Sequence, residues 1–507
     1  MKLLDVWHKL RGASGFDGGV VLDMHKQTAA SPIVDCPLPS VLIHPLKQHI
    51  GASCKSLVHV GDTVLRGQKI GKSQGYISAP VHAGTSGRVV RIEEHTVPHP
   101  SGLGMPCIFI EADGEDRAVA VGPKLHHWSM EEPAVLRERV RLAGITGLGG
   151  AGFPTYVKLL KDQRSPIHTV IINGIECEPW LTHDHRMLCE QSDTMVQGLM
   201  LLLHMVGAKR GVIAIEDNKP DAIAAMQEAI EAWYAASEHQ KALKLSVQAL
   251  PTRYPQGSEK QLIQAITGHE VPAGKLPMHI GVLCQNVGST YAIYQAVTHG
   301  HALTERVITV SGDALPKPAN MRVRLGTPMR FVFAQCGLEV FDDIQIIHGG
   351  PMMGERLKNA EAPVVKATTG LLAMQRDVLL AEHQVEEPCI RCGHCSDVCP
   401  VRLVPNLMAD FSRQGDFEKA EEYQLFDCIE CGCCSNVCPS HIPLVHYFRY
   451  GKGQLAQIRK EKSFAEASRQ RSEQRAGRME QEKSEKAARR SRVRAQAKPA
   501  VTEDKDA

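Results

Sequence analysis

The chain has 507 residues, 43% of them apolar, enough for several domains with substantial cores. Its 58 Lys and Arg against 56 Asp and Glu give a formal charge of +2, which excludes a uniformly basic nucleic-acid binder and an acidic disordered chain. That balance is uneven, because residues 456–507 carry 15 basic and 9 acidic side chains and leave the body before them mildly acidic.

At the start, MKLLDVWHKLRG holds too short an apolar stretch for a signal peptide and no small-residue cleavage site follows it, so a cytoplasmic location is expected. Over residues 58–92, V-G-D-x-V and A-P-x-x-A-G turns punctuate short strands, a pattern that resembles a lipoyl or biotinyl carrier fold. The hairpin position where a carrier bears its modified lysine is occupied by Ser73-Gln74-Gly75-Tyr76, with Lys72 earlier, so a structural or docking barrel is expected instead.

SMEEPAVLRERVRLAG then reads as a helix, with Ser129 and Glu132 spaced as a capping box. It runs into GITGLGGAGFPTYVKLL, where Gly147, Gly149 and Gly152 formally satisfy G-x-G-x-x-G. The dinucleotide fingerprint needs a strand before the loop, and a helix stands there, so a plain Rossmann reading does not follow. Four glycines in six positions let backbone amides approach a phosphate, Pro154 suits a first helical turn, and Lys158 adds a positive charge one turn on. A tight interdomain turn with a solvated lysine explains the same letters. Thr169 to Ile172 reads as a buried strand that breaks into a loop bearing Asn173, Glu176, Cys177, Glu178, Asp184 and His185, where post-strand loops of α/β sheets line ligand crevices. The uncharged stretch Gly198 to Ala208 is too short to cross a bilayer, which takes about 20 residues. RGVIAIEDN, the helical DAIAAMQEAIEAWYAA and KLSVQALPTRYPQGSEKQLIQAITG continue the α/β alternation.

Sixteen cysteines in a reducing compartment point to metal or redox chemistry, and half of them lie in two matching runs. Cys389, Cys392, Cys395 and Cys399, followed by Pro400, spell C-x2-C-x2-C-x3-C-P, and Cys428, Cys431, Cys434 and Cys438, followed by Pro439, repeat it. Three closely spaced thiolates suit three irons of a cubane, and in two-cluster ferredoxins the fourth cysteine of each run serves the other cluster. One [4Fe-4S] cluster would take Cys389, Cys392, Cys395 and Cys438, the other Cys428, Cys431, Cys434 and Cys399. Zinc ribbons pair two C-x2-C knuckles and have no use for the third cysteine. Apolar residues recur at helical spacing between the runs, which favours a helical two-cluster domain. From Gln454 on, Ala, Glu, Lys, Arg, Gln and Ser dominate, the composition of a solvated helix or a disordered tail, with Lys486 to Arg494 able to meet anionic lipid.

Taken together, GLGGAGFPTYVKL, IINGIECEPW, IEDNKP, YPQGSEKQL, GVLCQNVG, HGGPMMG and both cysteine runs resemble the C-subunit family of the Rnf electron transport complex across nearly all of residues 1–450. More distantly, GGAGFPT, the Glu-x-Glu-Pro segment and YPQGSEKQL look like the FMN- and NADH-binding subunit of respiratory complex I. The resemblance implies non-covalent FMN cradled by Gly147, Gly149, Gly150, Gly152 and Phe153 with Lys158, NAD(H) near Glu176 and Glu178, and Asn173, Glu259 and Asn286 in the flavin pocket. Tyr156 departs from it, since relatives commonly have glycine there, and its ring is expected to narrow the pocket. The implied architecture is multidomain α/β plus α: a barrel-sandwich-hybrid-like, non-carrier domain over 1–125, a Rossmann-like FMN/NAD(H) domain over 126–300 and a small β-grasp domain over 301–360. A linker over 361–384, a helical two-[4Fe-4S] ferredoxin-type domain over 385–452 and a charged tail over 453–507 complete it. The implied role is a peripheral electron-transfer subunit on the cytoplasmic side of the inner membrane, in an ion-translocating ferredoxin:NAD oxidoreductase. It would meet the other membrane and peripheral subunits, NAD(H) and ferredoxin or a ferredoxin-like subunit, with no nucleic acid and no catalytic acid or base. Reduction of a redox-sensing transcription factor of the SoxR type is an alternative output, and a zinc-stabilised scaffold without redox activity another.

Overall fold

The computed structural model describes residues 15–99, 101–121, 124–125, 127–160, 165–236, 242–375 and 385–496. The chain forms two compact units, one from residues 1–406 with 427–445 and the other from 407–426 with 446–507.

In the first unit, the turns read in the sequence separate the strands of a small barrel. An antiparallel sheet holds Val41–Pro45, Gly104–Ala112, Gly87–Thr96 and Thr63–Val64 in that order, and a three-stranded sheet holds Lys55–Ser56, Lys69–Lys72 and Val81–His82. Leu46, Val64, Ile70, Val81, Val89, Ile108 and Ile110 fill the space inside. Residues 73–80 connect the last two strands of the smaller sheet, where a carrier would present its lysine.

The flavin-type domain is built on a parallel sheet in the order Lys244–Leu250, Arg210–Glu216, Thr169–Gly174, Val282–Asn286. Its central strands are buried along nearly their whole length, as parallel strands covered by helices require. The helix before the glycine loop spans Pro133–Leu142 and starts differently from the expected capping box. Its N-cap is Glu132, Pro133 occupies the first turn, and no side chain caps it, because Ser129 is held in the 3-10 turn Trp128–Met130. The uncharged stretch 198–208 lies mostly in the buried helix Ser192–Val206, and no described helix is long and apolar enough to cross a membrane.

A six-stranded mixed sheet follows in the order Ile33–Asp35, Ala319–Arg324, Glu305–Ser311, Gly370–Gln375, Ile344–His348, Glu355–Leu357. It corrects two boundaries. Gly370–Gln375, expected in a linker, lies inside the sheet and pairs with Glu305–Ser311 and Ile344–His348. Ile33–Asp35, expected in the barrel domain, is an edge strand beside Ala319–Arg324. Residues 376–384, the end of that linker, lie outside the described residues.

The cysteine runs are one backbone motif used twice. Arg391 and Glu430 both have φ 57°, Gly393 and Gly432 have φ 85° and 82°, and Arg402 and His441 have φ 54° and 50°. Each glycine starts a one-turn helix, His394–Asp397 and Cys433–Asn436. The second unit holds the expected helices between the runs, Pro405–Gln414 and Phe417–Glu422, which pack on the start of the helix Leu444–Gln496, where Gly451 lies against Ser412 and Leu425 and Tyr450 meets Phe417 edge-on. That helix spans the described part of the charged tail; its 53 residues make it about 80 Å long and nearly all of it beyond Glu461 is exposed.

Candidate flavin and iron–sulfur sites

The glycine loop closes on itself through Gly147 N–H donating to Phe153 O (2.7 Å) and Thr155 N–H donating to Ile145 O (3.1 Å). Leu148 N–H donates to Ser289 Oγ and Leu148 O accepts from the buried Arg306 guanidinium, which fixes the loop's stem. Gly149, Gly150 and Ala151 are left exposed at its tip, and among the described residues the N–H groups of Gly149, Gly150 and Gly152 have no protein acceptor. Gly150 at φ 122° and Gly152 at φ 61° occupy backbone that side chains rarely adopt, and a Cβ on Gly149 would sit 3.1 Å from Asn286 Cβ. Unspent amides in a glycine-rich turn are donors of the kind a flavin phosphate takes, so the residues fit that group.

Other expected contacts are already engaged within the protein. Lys158 Nζ lies 2.7 Å from Glu259 Oε1; burial works to lower its pKa, but the carboxylate more than offsets this and holds it raised. Asn173 donates to Gly257 O and accepts from Ile175 N–H, pinning the strand end to the 254–258 turn. Asn286 caps the helix Val287–Tyr294 and donates to Asp184 Oδ2 at 2.6 Å.

Glu176 and Glu178 are held by protein donors as well. Glu176, its side chain 2% exposed, accepts from the N–H groups of Asp184 and His185 at the start of the helix His183–Glu190 and lies 3.0 Å from His183 Nδ1. Burial would raise its pKa, yet His183, Lys26 and Lys219 keep it well below the usual carboxylate range. Glu178 accepts from Met352 and Met353 N–H at 3.0 and 2.9 Å, and burial pushes its pKa up to about 7 against those bonds. Both carboxylates position loops.

These loops abut the second cysteine run. Tyr254 Oη donates to Cys431 O at 2.7 Å, and Gly432 packs so closely on Met352 that a Cβ would lie 3.0 Å from its carbonyl. Cys431 and Cys433 belong to the same buried apolar cluster as Ile171 and Val212 of the parallel sheet and Ile175, Tyr254 and Leu262 of the segments beside it. Cys399 reaches this side too: its run accepts from Gly19 N–H at Val398 O, and Gln261 Nε2 donates to Pro400 O. Electrostatically, Cys434 feels Cys428, Cys431 and Cys399 as neighbours. The first run is open instead. Cys389 and Cys392 are exposed, and a cavity is lined by Cys389, Cys392, Cys395 and Cys438 together with Ile390, Arg391 and Pro439. Four thiolates therefore converge from both runs, as the crossover spacing requires. No three of the eight described cysteines bring their sulfurs within 4.8 Å of one another, whereas a single tetrahedral zinc with bonds of about 2.3 Å would draw all four closer than that. The donor set fits a cubane.

Comparison with known families matches three stretches of the chain. Residues 14–115 match the RnfC barrel sandwich hybrid domain, 140–295 the Nuo51 FMN-binding domain and 386–442 a 4Fe-4S dicluster domain. The C subunit of the ion-translocating oxidoreductase complex of Haemophilus influenzae strain PittEE is 43% identical over 92% of this chain and 70% of that protein. The chain belongs to the C-subunit family of these complexes. The C subunits of Pectobacterium carotovorum and Pseudomonas aeruginosa are 44% and 43% identical over 97% and 94% of the chain, which spans 64% and 60% of their length. A solved NAD+-reducing [NiFe]-hydrogenase in its H2-reduced state covers 69% of the chain at 18% identity with a TM-score of 0.48, too distant to carry an argument.

As a member of the C-subunit family, the chain carries an FMN-binding domain and a dicluster domain, joined by residues that sequence reasoning passes over. Lys26 donates to the carbonyls of Glu176, Glu178 and Leu181 at 2.7–2.9 Å, and Lys219 to Ile175 O at 2.9 Å, so two buried ammonium groups shape the loop that holds both glutamates. Lys219, Tyr254 and Met352 stand inside quoted motifs (IEDNKP, YPQGSEKQL, HGGPMMG), which is the signal the sequence offers for them; Lys26 has none.

Proposed function

We propose that this chain is a peripheral electron-transfer subunit at the cytoplasmic face of the inner membrane, moving electrons between NAD(H), FMN and two [4Fe-4S] clusters toward ferredoxin or the other subunits of an ion-translocating complex. A bound flavin supplies the exchange between two-electron hydride chemistry and one-electron transfer that nicotinamide lacks. Gly149, Gly150 and Gly152 hold its phosphate with amide donors, and Asn286, anchored by Asp184, holds the floor beneath Gly149. Cys428, Cys431, Cys434 and Cys399 ligate the inner cluster, and Cys389, Cys392, Cys395 and Cys438 the outer one.

The observation that carries this reading is the burial of Cys431 and Cys433 in the core of the flavin-type sheet, with Tyr254 bonded to the Cys431 carbonyl. It supports an order in which electrons pass between flavin and the inner cluster, then to the outer cluster, whose exposed rim at Val385, Ile390 and Arg391 faces a redox partner. The test is anaerobic purification of the full chain. About eight irons and one flavin per chain, with flavin absorbance bleached by NADH, are expected. Zinc without iron, or a flavin that NADH leaves oxidised, refutes the reading.

A further inference from the structure

Beside the glycine loop, the barrel presents a surface of its own. Its loops 47–52 and 73–79 are stitched to each other: Ala52 N–H donates to Ile77 O, Ser78 Oγ donates to Ala52 O, and His49 Nε2 meets Ala79. Gly51 makes this possible, since a Cβ there would collide with Ile77 O at 2.1 Å. The pair of loops is then fastened to the glycine loop by Ile50 N–H donating to Gly152 O at 3.2 Å and by Tyr156 Oη donating to Tyr76 O. Tyr156, expected to narrow the pocket, instead turns its hydroxyl to the barrel.

Fixing these loops leaves three large apolar side chains exposed beside the open glycine tip: Ile50 at 55%, Tyr76 at 64% and Ile77 at 38%. Exposed apolar groups on a rigid, hydrogen-bonded support next to unspent polar donors have the make-up of a ligand wall. We propose that Ile50, Tyr76 and Ile77 form the barrel-side wall of the nucleotide site, against which a planar ring of NAD(H) packs while the glycine loop holds the flavin. The tip that would carry a lipoyl or biotinyl lysine thus serves as a binding surface. This inference rests on the NAD(H) reading above.

The Tyr76 contact to Tyr156 uses a backbone carbonyl, so its side chain can be changed without cutting the fastening. NAD+ binding to the anaerobic, flavin-loaded full chain is measured by calorimetry, with flavin content read separately. Tyr76→Ala and Ile50→Gln are expected to keep full flavin content and weaken NAD+ about tenfold each, and Tyr76→Phe to bind as wild type does. Wild-type binding matched within twofold by both variants overturns the inference and leaves the NAD(H) reading standing. A wild-type chain that holds flavin but binds no NAD+ overturns both.

Discussion

The two cysteine runs share their spacing and their backbone, down to left-handed residues at matching positions, and each buries two of its four cysteines, yet the other two are exposed only in the first run. Around the second run, Cys431, Cys433 and Cys434 are buried, with Tyr254, Met352 and the parallel sheet pressed against them. Around the first, Cys389 and Cys392 are exposed and Ile390 is 67% exposed beside them. Spacing decides which metal group each run can hold, and packing decides which run lies against the parallel sheet and which lies at the surface.

That contrast can be broken most strongly at Glu178, which braces the buried side. Its folded pKa of about 7 lies above the ordinary 4.5, so the native state binds an extra proton between those values and stability falls as pH rises across them. Wild type should lose about 2 kcal/mol relative to Glu178→Gln between pH 5.5 and 8, read from anaerobic denaturant midpoints at the two pH values. A constant difference across that range would mean the carboxyl does not titrate where burial puts it.

A smaller effect is expected from Tyr254→Phe, which removes one buried hydroxyl and leaves the Cys431 carbonyl without its donor. The loss should be about 1–2 kcal/mol in the same measurement, with iron content unchanged. On the open side, Ile390→Glu should leave stability within about 0.5 kcal/mol of wild type, as exposed substitutions do. It should still slow electron transfer to a ferredoxin, measured by stopped flow, because the charge falls on the rim a partner must approach.

Much of this is legible in the sequence because it is local. Cluster ligands sit within eleven residues in each run, the helices between the runs show their own periodicity, and the glycine loop needs only its neighbours to be recognised. What stays hidden depends on partners far along the chain. Lys26 acts on carbonyls 150 or more residues away, and Glu178 is bound by amides 174 residues later, so the bracing of the loop that carries both glutamates is not visible in its own segment. Gly370–Gln375 reads as linker because its strand partners lie elsewhere in the sequence, and Tyr156 reads as a pocket side chain because its acceptor is on the barrel 80 residues before it.

Single-cluster chains test the order of the two clusters directly. Cys392→Ser should lose about four irons and keep the inner cluster, which NADH then reduces through the flavin at the wild-type rate, seen by freeze-quench electron paramagnetic resonance. Cys428→Ser should lose as many irons and keep the outer cluster, with its NADH-driven reduction slowed at least a hundredfold. Fast reduction in Cys428→Ser together with slow reduction in Cys392→Ser would contradict the account.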